Sequence, residues 1–405
     1  MTQSSDSVNP TGDELAAHPA LGERALADAL SRLVATPSAN PGAQEAGMLQ
    51  AVRRELADLE LETEVVEFAP GRPSLGAVLA GSTDGPGLVL NGHMDTVPVG
   101  DRALWSVDPF GGEQREGAVW GRGALDMKGG LVAQIACARV LATRRDLLRG
   151  RLVLHFAAGE ECGEPGTLSL LRRGFTGDVG IVTEPTDLAV ATAMRGVAWN
   201  RIRIVGRATH AGTADSGRNP VDALPVLLEA LGRHDKLLRA RTHPLVGSAA
   251  ATVTGVSCGV EHNAVPDVCE VVVDRRMIPG ETPEGAGEEL AAVVGEAMAH
   301  HDGLEWSLAP LHNPFKPVEI PADSPFAARV ARIASEEAGR PVPIVGTPYG
   351  SDVRNLIDDA GIEAVTFGAG DVRGCHCPDE HLPISQLRIA AAVLTRVAAE
   401  VLLDR

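Results

Sequence analysis

Gly87-Leu88-Val89-Leu90-Asn91-Gly92-His93-Met94-Asp95 is the stretch that decides how this chain reads. Its short apolar run predicts a buried strand, and that strand delivers a His and an Asp two positions apart at its carboxyl end. In α/β sheets the carboxyl end of a strand is where ligands are placed. A His-x-Asp pair can supply a metal ligand and the carboxylate that orients it through its other ring nitrogen. Taken alone, a His beside an acid is more often a solvated surface pair. Three further acid-rich strand ends follow at wide spacing, however, and another His arrives near the C-terminus.

Working outward, apolar strands predicted at Glu62–Phe68, Ser74–Ala80, Gly87–Asn91, Arg151–Ala157 and Val179–Thr183 are followed or interleaved by helices at Gly130–Thr143 and Thr167–Arg173. Alternation of apolar strands with helices predicts a doubly wound, mainly parallel α/β sheet. The texture changes after Arg195. Trp199–Gly206 alternates polar and apolar residues, as an antiparallel strand with one wet face does. A helix at Asn219–Leu238, strands at Ala250–Val256 and Val268–Arg276, a helix at Pro283–His300 and a strand at Leu304–Ala309 complete the order β-α-β-β-α-β, a small α+β module. The α/β texture then returns from Ser324 to Leu403. The expectation is one discontinuous domain, residues 1–196 and 310–405, interrupted by a second at 197–309, with residues 1–17 a polar leader.

A chain of 405 residues suits two domains. Hydrophobic residues make up 44% and charged residues 22%, values of a globular protein with ample core, while aromatics at 3% leave Ala, Val and Leu to fill it. The net charge of −18 argues against nucleic acid or an anionic membrane as partner. Cys137, Cys162, Cys258, Cys269, Cys375 and Cys377 are too few and too scattered for a disulfide framework, so reduced thiols and a cytoplasmic location are expected. No apolar run is long enough to span a bilayer.

Four clusters join His93 and Asp95. Gly121-Arg122-Gly123 leads to Asp126 at the mouth of a helix, where in isolation a plain N-cap is an equally good reading. A strand runs into the adjacent pair Glu160-Glu161, whose mutual repulsion makes sense beside a cation. Another strand ends at Glu184-Pro185-Thr186, and His376 lies in Cys375-His376-Cys377-Pro378-Asp379-Glu380. Two histidines and several carboxylates suit a pair of borderline divalent ions, zinc first, with cobalt or manganese as alternatives. A two-metal site needs a shared carboxylate, and an acid outside the ligand set to take a proton from the bridging water. The adjacent glutamates can divide those tasks, one facing metal and one facing water.

In motif order, from about Leu21 to Leu403, these pieces resemble the co-catalytic zinc amidohydrolases that include acetylornithine deacetylase, succinyl-diaminopimelate desuccinylase and carboxypeptidase G. The resemblance implies that His93, Asp126 and Glu184 bind one metal and Asp126, Glu161 and His376 the other, with Asp126 bridging. It makes Asp95 the support of His93 and Glu160 the general base and acid. It makes the inserted module a lid and dimerisation domain, and His210 the imidazole that polarises the scissile carbonyl, usually in the partner subunit's site. Asn263, Arg276, Gly350, Ser351 and Arg354 fall at substrate-binding positions, Arg276 clamping a carboxylate with its planar fork. Without that context His210 reads as an exposed strand residue and Arg276 as a surface ion pair. The departures are Cys375 and Cys377 around the metal His, which could add a thiolate, and His381 where relatives often carry an aromatic.

The implied activity is hydrolysis of an N-acyl amino acid amide in amino-acid metabolism, by a homodimer acting on a small molecule. A dipeptidase or carboxypeptidase of the same family is the nearest rival, and a catalytically inactive binding homologue the more distant one.

Overall fold

The computed structural model describes Leu15 and residues 17–42, 45–259 and 261–403. These form two compact units. One takes the chain as far as Thr192, Ile320–Val345 and the residues from Ser351 onward; the other takes Ala193–Glu319 and Gly346–Gly350. Apart from Leu15, which is buried, and Ala17, the expected leader lies outside the described residues.

In the first unit the strands lie in the order Glu62–Ala69, Arg72–Ala80, Arg149–Ala157, Thr83–His93, Val179–Val182, Glu363–Thr366 and Val190–Met194, the last carrying the chain out of the unit. The four central strands are mutually parallel, and antiparallel pairings close both margins. Burial along Thr83–His93 is continuous from Leu88 onward, and along Arg149–Ala157 from Leu152, with no alternation. That is the mark of strands covered on both faces.

Two neighbouring residues show the cover directly. Asn91 donates its side-chain amide to Thr167 Oγ1, in the helix Gly166–Arg172, at 2.8 Å. A Cβ on Gly92 would lie 2.8 Å from Leu131 and Gln134 of the helix Gly129–Ala142. Successive strand residues point to opposite faces, so the two helices cover opposite sides and the sheet is doubly wound. Helix Gly129–Ala142 is buried nearly all round, as a helix with no polar face must be. With Ile384–Leu402 it packs on Leu88, Leu90, Leu152, Leu154 and Phe156 in one continuous core.

The second unit has a four-stranded antiparallel sheet in the order Ala250–Cys258, Val268–Met277, Gly196–Val205, Glu305–Pro310. Along Gly196–Val205, Ile202 and Ile204 are buried while Arg201 and Arg203 are exposed. Leu227 and Leu231 from helix Leu224–Leu238 and Leu290 and Val294 from helix Pro283–Met298 cover that buried face. The chain order is β-α-β-β-α-β.

One expectation needs correcting. Cys258 and Cys269 stand directly opposite each other in adjacent strands, with Cα atoms 4.3 Å apart, and form a disulfide. They lie eleven positions apart in sequence, and only the strand register brings their thiols face to face. Among the described residues no helix is long and apolar enough to cross a membrane.

Candidate active site

The carboxyl ends of the parallel strands converge on His93. Its Nδ1 lies 2.9 Å from the backbone carbonyl of Asp95, which fixes the ring, and its Nε2 lies 3.2 Å from Asp126 Oδ1 and 3.4 Å from Glu184 Oε1. Asp126 Oδ2 faces the other way, 3.1 Å from His376 Nε2, and that same nitrogen is 3.3 Å from Glu161 Oε2. One aspartate therefore addresses both imidazoles, each through a different oxygen. Ligand atoms of His93, Asp126 and Glu161 lie within 4.8 Å of one another, as do those of His93, Glu160 and Glu184. Glu160 is the more distant acid, its Oε2 3.9 Å from His93 Nε2, and its Oε1 is buried without a hydrogen-bond partner.

Backbone amides hold these acids in place. The strand that ends at Ala157 turns through Gly159, whose φ of 82° suits a residue without Cβ, into the short helical turn Glu160–Cys162. Asp95 caps that turn: its Oδ1 accepts the N–H groups of Gly159 and Glu160 at 3.0 and 3.2 Å, and its Oδ2 accepts Glu161 N–H at 3.2 Å. The Asn40 amide also donates to Oδ2, at 3.1 Å. Asp95 thus supports His93 through its carbonyl and the diacid turn through its carboxylate. An Asp95→Asn protein puts an NH₂ group where N–H donors already point. Hydrogen bonds to a charged group contribute about 1.5–3 kcal/mol each, so kcat is expected to fall on the order of ten- to hundred-fold. Metal content measured beside kcat checks whether the turn or the metal ligands moved.

Glu380 performs the same service for Asp126. Its Oε1 accepts N–H bonds from Gly123, Leu125 and Asp126 at 2.9, 3.1 and 3.1 Å, and its Oε2 pairs with the Arg122 guanidinium, both side chains buried. Gly123 has φ 84°, and a Cβ there would sit 2.7 Å from Thr96 Cγ2. His376 itself sits at φ 62°, a left-handed conformation uncommon outside glycine and concentrated at functional sites.

The charges are strongly unbalanced. Burial, with the negative charges of Glu184, Asp352 and Glu161, holds the Glu160 carboxyl well above the usual range against the pull of His93. Burial, with Asp126 and Glu161 adding to it against His93, pushes Glu184 up to about 7. Hydrogen bonds to Asp126 and Glu161 push His376 up to about 11. Such crowding of carboxylates is what a divalent cation relieves, and imidazole nitrogens with carboxylate oxygens are a fitting donor set for zinc and its neighbours. Cys375 is buried, and burial together with the surrounding acids, Asp126 first, pushes its thiol up.

His210, Asn263, Arg276 and Gly350 belong to the second unit, Ser351 and Arg354 to the first. A two-residue ladder pairs Thr209-His210 with Ala264-Val265, which brings Asn263 beside His210. His210 is exposed, and its Nδ1 accepts Gly212 N–H at 3.0 Å, so the ring hydrogen sits on Nε2, ready to donate. The Arg276 fork is engaged by Asp274 at 2.7 and 3.0 Å. Arg195, which sequence reasoning passed over, carries a buried Nε with no partner, and burial, then the Arg276 charge, lowers its pKa. Glu380 was given no role either; its place immediately before the strand His381–Pro383, which pairs with Ala118–Trp120, was the available clue.

Strand ends that gather imidazoles and carboxylates around a shared aspartate have the make-up of a metal-dependent hydrolase. Within that class the chain belongs to peptidase family M20/M25/M40, whose model matches residues 89–400. It is 31% identical over 386 residues to the acetylornithine deacetylase of Myxococcus xanthus, covering 93% of this chain and 97% of that one. It is 30% identical over 386 residues to the succinyl-diaminopimelate desuccinylase of Methylorubrum extorquens (strain PA1), covering 92% and 97%. Its fold matches that of an M20-family metallo-carboxypeptidase from Sulfolobus solfataricus with a TM-score of 0.77 at 18% identity, over 92% of this chain and 98% of that one.

Proposed function

We propose that this protein hydrolyses the amide bond of an N-acyl amino acid, adding one water across the C–N bond to release a carboxylate and a free amine. The observation that carries the reading is Asp126, facing His93 with one oxygen and His376 with the other, beside a buried glutamate with an unpartnered oxygen. The deacylase names of the two curated relatives support the acyl amino acid as substrate class.

In this reading His93, Asp126 and Glu184 would hold one divalent ion and Asp126, Glu161 and His376 a second, zinc first. Bound there, the ions would polarise the carbonyl and make water at the site more acidic. Glu160 takes the proton of the attacking water and returns it to the departing nitrogen. Its selection over Glu161 rests on distance: Glu161 Oε2 lies 3.3 Å from His376 Nε2, whereas Glu160 stands off at 3.9 Å from His93 Nε2. Asp95 fixes the turn that carries both glutamates by accepting their backbone N–H groups. His210, acting across the dimer, would donate its Nε2 hydrogen to the developing oxyanion, and Asn263, Arg276, Gly350, Ser351 and Arg354 are the proposed contacts for the rest of the substrate.

Chelator treatment is expected to abolish turnover and added zinc, cobalt or manganese to restore it. Loss of activity with no recovery under any of the three would reject the metal reading, and an inactive binding homologue would show ligand binding without turnover throughout. The metallo-carboxypeptidase among the structural neighbours favours peptide hydrolysis as the second reading. A panel of N-acetyl, N-succinyl and N-carbamoyl amino acids and dipeptides separates the two by relative kcat/KM.

A homodimer through the second unit forms part of the same proposal. The edge strand Ala250–Cys258 leaves Val256 about half exposed and its outer backbone groups unpaired within its sheet. Two copies meeting edge to edge would satisfy both. Sedimentation at micromolar concentration is expected to give twice the chain mass; a monomer with full activity would remove the dimer from the mechanism.

A further inference from the structure

Beneath the strand ends runs a line of buried polar side chains that the reaction scheme does not use. We propose that Thr167 is a positioning residue for substrate binding, its hydroxyl fixing the Asp352 carboxylate that holds Arg354 in place. The inference rests on the reading of Arg354 as a contact for the substrate carboxylate.

Counting hydrogens gives the line its direction. His155 Nε2 lies 2.8 Å from the Phe175 carbonyl, an acceptor only, so the ring hydrogen is on Nε2 and Nδ1 is bare. Burial keeps this imidazole neutral, lowering its pKa to about 4. Bare Nδ1 must then receive a hydrogen from the Asn91 amide, 3.2 Å away, which orients that amide with Nδ2 toward His155. The second hydrogen of Asn91 Nδ2 goes to Thr167 Oγ1 at 2.8 Å. Thr167, now an acceptor from Asn91, has one hydrogen to give, and Asp352 Oδ2 lies 2.6 Å away to take it. The other oxygen of Asp352 is 3.6 Å from an Arg354 terminal nitrogen, and Arg354 also donates to the Ser351 carbonyl at 2.9 Å.

From His155 to Asp352 each hydrogen has its acceptor, and the last link, from Asp352 to Arg354, is an ion pair. Asn91 lies two residues before His93 on the same strand, so the line ties the guanidinium to the strand that delivers the metal-site imidazole. Asn91, His155, Thr167, Asp352 and Arg354 are all buried, which removes water as a substitute partner. A threonine whose only task was to cap its helix would have no reason to point its hydroxyl at a buried carboxylate on another segment.

Thr167→Val keeps the shape and removes the hydroxyl; Thr167→Ser puts it back. With the N-acyl amino acid that the substrate panel selects, Thr167→Val is expected to raise KM on the order of ten- to hundred-fold, with kcat and metal content little changed, and Thr167→Ser to restore it. On the carboxamide of the same compound, Thr167→Val and the wild type are expected to be equal, because Arg354 then has no carboxylate to meet. Arg354→Lys, which keeps charge but loses the fork, is expected to raise KM, and adding Thr167→Val to it should cost little more. Unchanged KM in Arg354→Lys would overturn the reading of Arg354. Raised KM there beside unchanged KM in Thr167→Val would overturn the present inference alone. A Thr167→Val protein with lowered Tm and unaltered KM would likewise reduce Thr167 to a packing role.

Discussion

Glu160→Gln should retain its full metal content while kcat falls by about 10²–10⁴-fold, the range that general acid–base catalysis contributes. Glutamine matches glutamate in shape but cannot take up and return a proton, and the acids around it have other contacts: Glu161 faces His376, Glu184 faces His93, Asp95 accepts amides, and Asp352 accepts the Thr167 hydroxyl beside Arg354. Glu161→Gln should fail differently. Its Oε2 faces His376 and its Oε1 accepts Val97 N–H at 3.2 Å, so its replacement should lower metal content first and activity as a consequence. Excess metal should recover activity in Glu161→Gln and none in Glu160→Gln. A Glu160→Gln protein that remains active with metals bound would sink the assigned mechanism while leaving the family intact. A Glu160→Gln protein that loses metal would instead make Glu160 a ligand of the His93 and Glu184 group.

The second large effect is expected at the buried Arg122–Glu380 pair. Removing one partner from a buried ion pair leaves an uncompensated charge and costs about 3–5 kcal/mol. Glu380→Leu should therefore shift the urea midpoint sharply downward, with Arg122 stranded against the Trp105 ring, 5.2 Å from its centroid. Removing both charges, in Arg122→Met/Glu380→Leu, should recover much of that stability, because a hydrophobic pair of similar volume tolerates burial well. Activity should not recover with it. Glu380 Oε1 is also the acceptor for the amides of Gly123, Leu125 and Asp126, and without it the loop that presents Asp126 to both imidazoles has lost its anchor. Stability regained with activity still absent separates the structural from the positioning role; activity regained with stability would show that Glu380 matters only as the partner of Arg122.

Legibility in the sequence followed the range of the interactions. The apolar strands, the shift from continuous to alternating burial after Arg195 and the order of elements in the inserted module are set by neighbours two to four positions apart, and periodicity reports those. The strand Val190–Met194 and the ribbon of Glu113–Arg115, Ala118–Trp120 and His381–Pro383 were missed because they are short and gain their hydrogen bonds only from distant segments. The Cys258–Cys269 pair escaped for a related reason, since cysteine count and spacing carry no information about strand register.

By itself the sequence determined the chemical inventory. His93, Asp126, Glu160, Glu161, Glu184 and His376 each stand in a local motif at the end of a strand or the mouth of a turn, and those positions follow from short-range pattern. Tertiary structure alone decided the division of labour among them. Asp126 could turn one oxygen to each imidazole, Asp95 could gather the amides of the diacid turn, and Glu380 and Thr167 could anchor loops from other segments, only once parallel strands far apart in the chain were brought into register. Hydrogen bonds are specified to tenths of an ångström and buried acids by every charge around them. Neither is a property of a residue type, and both are settled by which backbone lies next to which.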